Sequence, residues 1–335
     1  MKTLVALLRF GLFGAEFPAG ILPLDEEGWR SVFDISRRQG VTALIYDAIL
    51  KLPQELRPKR KVLFHFTSMT QTIEQDNRSR EDALMHYASI VRSRLSLPTV
   101  VVKGSSIACY YPNPLHRECG DNDIYTGGDT EAVGRIFEQG GLTVDRKDPR
   151  HISFSLDSET FECHSYLLYH NDDLDWRTVP LENSCLHTLQ REQSAFFIAK
   201  HIEHHAVFFH QPVRLRDLVD WSMLITSAGF DWNNYNSIKQ GTDVDVFADL
   251  MTAYCTDLFG LEGVEAKALK GLCLNDFERL YMQCPERHKL AAVRVARRSW
   301  KYLRFGRQYK AIYGQSMFRR FYLHNVKNAI KQRFE

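Results

Sequence analysis

Apolar residues recur at helical spacing from the first residues of the chain. Leu4, Leu7, Leu8 and Leu12 fall on one helical stripe around Arg9, a pattern that predicts a short amphipathic helix. A cleaved signal peptide is the alternative interpretation of this segment. No apolar run approaches the roughly 20 residues that cross a bilayer, so we expect no membrane span.

The next 80 residues predict further helices. Asp25 can cap a helix that ends at Gly40, where glycine tolerates the left-handed conformation of a helix end. The segment "VTALIYDAIL" predicts another helix, which stops before Pro53. Residues 62–95 contain few helix breakers and predict one long helix.

The pattern changes after Pro98, where β-branched and alternating runs replace the helical period. An alternating segment on both sides of "DSE" predicts a hairpin. The predicted order begins with a strand at "TVVV", a helical turn at "SSIACYY" and a second strand at "DIYT". A helix at "DTEAVGRIFEQGG" follows, then a third strand at "LTVDR" and finally the hairpin.

Helical spacing returns at about Leu186 and continues to the end of the chain. The sequence therefore predicts an α+β protein with a small mixed β-sheet between two helical parts. We expect an N-terminal helical region at 1–81, an α+β domain at 82–180 and a C-terminal helical domain at 181–335.

Charge is uneven along the chain, although the net charge is only +2. Residues 287–335 contain 14 Lys or Arg and one acidic residue, so the C-terminal end is a basic tail on an acidic body. The tail could bind RNA or another polyanion, or form a solvated helical face. The seven cysteines form no CxxC pair, which favours a reducing, cytoplasmic location.

Two carboxylates, Asp121 and Asp123, lie at the start of the "DIYT" strand. Residues two apart in a strand face the same way, so both side chains project together. They repel each other unless a cation such as Mg²⁺ lies between them. In "FECHSYL", Glu162 and His164 also share one face, and a third carboxylate would allow two metals to be held. The alternative for Asp121 and Asp123 is a polar turn at a strand edge.

A second motif, Lys103-Gly104-Ser105-Ser106, joins a strand to a helix. Backbone N–H groups at a helix start bind anions, and glycine lets a phosphate approach closely. A tight turn capped by serine is the alternative. Gly120 and Arg117 precede the two aspartates, and Arg117 could contact phosphate, Glu118 or a carboxylate of the site.

These motifs together resemble the polymerase-beta-like nucleotidyltransferase superfamily. The segments "VKGSSIACYYPNPLHRECGDNDIY", "ECH" and "RLRDLVDW" are similar to the bacterial family of uncharacterised nucleotidyltransferases, as is "RRQGVTALIYDAI". The resemblance implies a nucleotidyltransferase-like central domain that transfers a nucleotidyl group from a nucleoside triphosphate to an unidentified acceptor. It implies Mg²⁺ or Mn²⁺ at Asp121, Asp123 and Glu162, with the triphosphate at Gly104 and Ser105.

Two features depart from the usual superfamily pattern. Gly104 and Asp121 are 17 positions apart, which is longer than usual, and the third carboxylate is Glu162 where Asp is commoner. An inactive module that binds nucleotide or a partner is therefore the alternative function. We expect the extra loop, "YYPNPLHREC", to determine substrate choice or loss of activity.

A histidine cluster, "KHIEHHAVFFH", lies on a predicted helix. His201 and His205 are four residues apart, which is a spacing of zinc ligands on one helical face. Glu203 does not match the glutamate of an HExxH motif. The histidines could instead form hydrogen bonds in a packed helix, or line the cleft and contact substrate.

Overall fold

The computed structural model describes residues 1–16, 20–148, 150–167, 174–181, 185–207, 211–265, 267, 269, 271–282 and 300–317. Within these residues the protein is α+β, as predicted, with a six-stranded mixed sheet between helical layers. None of the described helices is both long and apolar enough to cross a membrane.

Four helices precede the sheet, as the hydrophobic pattern predicts: α1 (Lys2–Leu12), α2 (Glu26–Gln39), α3 (Thr42–Lys51) and α4 (Arg60–Leu95). Leu4, Leu7 and Leu8 of α1 are buried, which confirms the amphipathic stripe. Asp25 caps α2, because its Oδ1 accepts a hydrogen bond of 2.7 Å from the Gly28 N–H. The helix ends at Gly40 in the left-handed region, with φ of 68°.

The central block contains β1 (Val100–Val101), α5 (Ser105–Ala108), β2 (Asn122–Tyr125), α6 (Thr130–Gln139), β3 (His151–Leu156), β4 (Glu159–His164), β5 (Thr178–Pro180) and β6 (His187–Leu189). The strand order is β3-β4-β2-β1-β6-β5. β2 runs parallel to β4 and antiparallel to β1. The predicted hairpin is confirmed as β3 and β4, which turn at Asp157 and Ser158 with φ of 52° and 68°.

Two details of the sheet differ from the sequence prediction. The predicted strand "LTVDR" forms only an isolated bridge between Asp145 and Ser153, because Leu142 and Val144 pack onto the core without a paired ladder. Strands β5 and β6 were not predicted. Each has three residues and is defined by pairing with another strand, which no local period reveals.

The two faces of the sheet differ, since one is largely apolar and the other combines apolar and charged side chains. Ile124, Phe161 and Cys163 pack with Tyr87 of α4 in one buried cluster, where the rings of Tyr87 and Phe161 stack 5.1 Å apart. Alternation along each strand therefore directs Asp123 and its neighbours to the opposite face, toward the C-terminal helices.

Six described helices follow the sheet: α7 (Arg191–Val207), α8 (Leu215–Ile225), α9 (Trp232–Lys239), α10 (Asp245–Phe259), α11 (Leu274–Phe277) and α12 (Gly306–Tyr313). Their apolar residues join those of α1 to α3 in a second buried cluster. Helix α4 contributes to both clusters, with Phe66 in one and Leu84 in the other. The domain boundaries near 81 and 180 stay predictions. Much of the basic tail lies outside the described residues.

Candidate functional site

The strand register brings the predicted carboxylates together. In the parallel pair of β2 and β4, Asp123 lies directly beside Glu162. Asp121 precedes Asp123 by two positions and projects from the same side. One carboxylate oxygen of each of the three residues lies within 4.8 Å of the others. Asp121 and Asp123 thus form one cluster with Glu162, which lies about 40 positions later in the sequence.

Lys103 is the cation of this cluster. Its Nζ lies 2.8 Å from Asp123 Oδ2, and only 3% of the Asp123 side chain is exposed. Burial by itself would raise the pKa of Asp123, but the charge of Lys103 and the hydrogen bond from His164 outweigh it and lower that pKa to about 2. Burial favours the neutral amine of Lys103, yet the charges of Asp123 and Asp121 raise the Lys103 pKa.

The ionised form of Glu162 is electrostatically unfavourable in this cluster. Burial raises its pKa, and the negative charges of Asp123 and Asp121 raise it further. Lys103 therefore compensates only part of the negative charge. An all-oxygen cluster with uncompensated charge is a donor set suited to Mg²⁺ or Mn²⁺, so the residues fit the predicted metal.

The Lys103-Gly104-Ser105-Ser106 turn lies beside the carboxylates, as predicted. Gly104 has φ of 61°, a conformation that other residues rarely adopt, and a Cβ there would meet no atom within 4 Å. Open space thus lies against the backbone at this point. Ser106 differs from Ser105, since it is buried and its hydroxyl donates to the Lys103 carbonyl at 3.2 Å. This hydrogen bond of Ser106 therefore stabilises the turn.

Arg117 forms a buried pair with α8. Its Nε and Nη2 each donate to a different oxygen of Asp220 at 2.7 Å, and Tyr111 donates to the same carboxylate. Burial would lower the pKa of Arg117, but the charge of Asp220 raises it well above its usual value. Both hydrogen bonds hold the guanidinium against Asp220, so we do not include Arg117 among the proposed phosphate contacts. Arg117 and Gly120 both border the open space near Asp121, and a Cβ at Gly120 would meet no atom within 4 Å.

The loop between the two motifs connects the surrounding helices. His116 donates to Asp47 at 2.7 Å and to Glu74 at 2.9 Å, and these hydrogen bonds keep its pKa raised against the effect of burial. Glu118 accepts a hydrogen bond from the Thr42 N–H at 3.1 Å. The extra length of the loop therefore joins α3, α4 and α8, which is a structural role that the sequence analysis did not predict.

The predicted histidines surround the same cluster. His164 Nε2 donates to Asp123 Oδ1 at 3.1 Å, and His201 Nε2 lies 3.5 Å from Lys103 Nζ. Burial and the charge of Lys103 hold the pKa of His201 well below its usual value, so the ring is neutral and accepts from Lys103. The ring centroids of His201 and His205 lie 4.1 Å apart, with the ring planes tilted by 38°. Among the described residues, the groups with converging metal-ligand atoms do not include this pair.

Three cavities meet at Asp121, which borders all of them. Cavity A, of about 590 Å³, lies beside Gly104 and Ser105 and reaches Asn122 and Thr188. Cavity B, of about 210 Å³, is lined by residues that include Lys103, Gly104, Gly120, Arg214 and Arg216. Cavity C, of about 270 Å³, is lined by residues that include Glu162, His164, His151 and Lys200. Asp121 thus lies where the three spaces converge, whereas Asp123 borders cavities B and C and Glu162 borders cavity C.

Arg214 and Arg216, in "RLRDLVDW", both border cavity B, and Arg216 also pairs with Asp217 at 3.5 Å. One feature of the site was missed by sequence reasoning. His151 was not considered, although it lies opposite His164 in the hairpin. The turn at Asp157 and Ser158 sets this pairing, which the prediction of a hairpin on both sides of "DSE" did not specify.

The comparisons with known proteins agree with this geometry. No curated protein and no solved structure matches the chain. A family model described as uncharacterised nucleotidyltransferase matches residues 25–260, which is more than half of the chain. The match spans Lys103-Gly104-Ser105, the three carboxylates and the covering helices α7 and α8. The chain therefore belongs to the uncharacterised nucleotidyltransferase family.

Proposed function

We propose that the protein is a metal-dependent nucleotidyltransferase that uses a nucleoside triphosphate. The convergence of Asp121, Asp123 and Glu162 beside the Lys103-Gly104 turn is the observation that carries this proposal. An acceptor oxygen attacks the α-phosphorus, and the bond from that phosphorus to pyrophosphate breaks. Positioning and charge neutralisation account for most of the catalysis in such a transfer.

The three carboxylates would hold Mg²⁺ or Mn²⁺, which when bound neutralises phosphate charge and orients the reacting oxygens. Lys103 supplies a fixed positive charge next to Asp123. The Gly104 backbone allows phosphate oxygens to approach without steric conflict. Arg214, Arg216 and Lys103 all border cavity B, so we assign the two arginines to the leaving pyrophosphate.

We assign the nucleoside to cavity A. Its volume of about 590 Å³ is within the range of small-molecule sites, and it is continuous with Gly104 and Ser105. Asn122 and Thr188 border it, each 6% exposed. Asn122 Nδ2 and Thr188 Oγ1 are buried and have no hydrogen-bond partner among the described residues. Buried polar atoms normally have partners, so a ligand that supplies them gains affinity.

The second proposal is a module that binds a nucleotide without transferring it. The 2.8 Å contact between Lys103 Nζ and Asp123 favours this alternative, because the ammonium group already provides a cation at the carboxylates. Under this proposal, nucleotide binding would not require a metal.

Pyrophosphate release from a panel of nucleoside triphosphates, with Mg²⁺ or Mn²⁺ and a mixture of hydroxyl and phosphate acceptors, separates the two proposals. The transferase predicts release that is abolished by Asp121→Asn and by Asp123→Asn, and unchanged by Asp34→Asn on the exposed surface of α2. Tight nucleotide binding by calorimetry, unaffected by a chelator and without release, would support the binding module instead.

The other partners and the location stay predictions. RNA or polyanion binding by the basic tail concerns residues that lie largely outside the described ranges. Substitution of Arg304, Arg307 and Lys310 by Gln, at exposed positions of the tail, should lower any salt-dependent RNA affinity if the tail binds RNA. The bacterial origin and the cytoplasmic location rest on the sequence alone, and the acceptor is unidentified.

A further inference from the structure

A second group of metal-ligand atoms lies next to the three carboxylates. His151, Glu162 and His164 each offer one atom, and these atoms lie within 4.8 Å of one another. The hairpin register produces the group, because His151 pairs with His164 across β3 and β4, and their rings lie 5.0 Å apart. Glu162 belongs to both groups. Its Oε1 faces His151, and its Oε2 faces His164.

The distances within this group are too long for ordinary hydrogen bonds. His151 Nε2 lies 3.8 Å from Glu162 Oε1, and His164 Nε2 lies 3.7 Å from Glu162 Oε2. Two ligands that bind one ion at about 2.1 Å are roughly 3.0–3.4 Å apart. A contraction of about half an ångström at each contact would therefore bring both histidine nitrogens to the distance from the Glu162 carboxylate that two ligands of one ion have.

The surroundings leave this group accessible from one side. The side chains of His151 and His164 are 13% and 15% exposed, and that of Glu162 is 29% exposed. All three border cavity C. His151 Nδ1 is buried and has no hydrogen-bond partner among the described residues, although Asp148 Oδ1 lies 3.9 Å away. The Asp148 carboxylate is close enough to orient the imidazole after a small shift.

We propose that His151, Glu162 and His164 form a separate site for a first-row transition-metal ion such as Mn²⁺, Co²⁺ or Zn²⁺. Two imidazoles and one carboxylate prefer these ions, whereas the all-oxygen group of Asp121, Asp123 and Glu162 suits Mg²⁺. When His164 Nε2 binds the ion, it loses the proton that it otherwise donates to Asp123. Glu162 bridges the two sites, and the transition metal borders cavity C.

Pulsed electron paramagnetic resonance of bound Mn²⁺ tests the proposal directly, because bound imidazole nitrogen modulates the electron spin echo. The full-length protein is stripped with a chelator, supplied with excess Mg²⁺ and then loaded with less than one equivalent of Mn²⁺. We expect coupling to two nitrogens in the wild type and to one in His151→Gln or His164→Gln. The double variant should show none and should bind Mn²⁺ at least about tenfold more weakly.

Controls separate this result from folding and from the proposed transferase activity. His65→Gln, on the exposed side of α4, should keep both couplings, and circular dichroism should show that every variant is folded without metal. Asp121→Asn should lose Mg²⁺-dependent nucleotide binding while both nitrogen couplings remain. Mn²⁺ without nitrogen coupling in the wild type, or a single coupling unaffected by His151→Gln, overturns the site whether or not the protein transfers nucleotides.

Discussion

Lys103 Nζ and Asp123 Oδ2 lie 2.8 Å apart, and both residues border cavities B and C. The pair joins the end of β1 to the middle of β2, and both side chains are mostly buried. A buried charge that loses its partner is costly, so this contact links the stability of the protein to its proposed chemistry.

Removal of the ammonium group should destabilise the metal-free protein. Lys103→Met should lower the free energy of unfolding by about 3 kcal/mol in the presence of a chelator, because Asp123 stays buried without its partner. Mg²⁺ should restore part of the loss. Urea unfolding measures both effects, with Lys147→Met as the control, since Lys147 pairs with Asp145 on the exposed surface. Equal losses in the two variants would contradict the assigned role.

Stability should depend on pH through Asp123. Its pKa in the folded protein is about 2, below the roughly 3.9 of an unfolded chain. The contribution is therefore complete above about pH 4, amounts to about 2 kcal/mol, and disappears as the pH falls toward 2. The difference in unfolding free energy between the wild type and Asp123→Asn should shrink over this range. A difference that stays constant between pH 5 and pH 2.5 would exclude the depressed pKa.

Glu162→Gln should stabilise the metal-free protein and weaken its metal binding. The pKa of Glu162 is raised in the folded state, so its ionised form opposes folding once the pH exceeds the unfolded value. At pH 7 without metal, the thermal midpoint should rise by roughly 1–3 °C. Calorimetry should show weaker Mg²⁺ binding in the same variant. Glu55→Gln, at an exposed position, should change neither quantity.

Thr188→Val should separate nucleotide affinity from stability. The Thr188 hydroxyl is buried without a partner among the described residues, so its loss should leave the stability of the free protein unchanged or higher. If this hydroxyl contacts the nucleoside in cavity A, nucleotide affinity should fall by about five- to tenfold.

The matched control for this prediction is Thr252→Val. Thr252 is also buried, but its hydroxyl donates to the Ala248 carbonyl at 2.7 Å. This variant should lose a little stability and keep its nucleotide affinity. Unchanged nucleotide affinity in Thr188→Val would remove Thr188 from the nucleoside site.

The sequence by itself determined the parts of the fold that have a local period. The helices from α1 to α4 follow apolar spacing, the cap at Asp25 and the stop at Gly40. The β3–β4 hairpin follows alternation on both sides of its turn. The residue types also determined which residues are proposed to bind metal and phosphate. Carboxylates two positions apart in a strand, for example, must face the same way.

Only the tertiary structure decided how these parts combine. The parallel register that places Asp123 beside Glu162 joins strands about 40 residues apart, and no local pattern specifies such a register. Arg117 offered several partners in the sequence, and packing against α8 selected Asp220. The short strands β5 and β6 exist only through pairing with other strands. Local periodicity determines which face of an element is apolar, whereas long-range packing determines which polar groups meet.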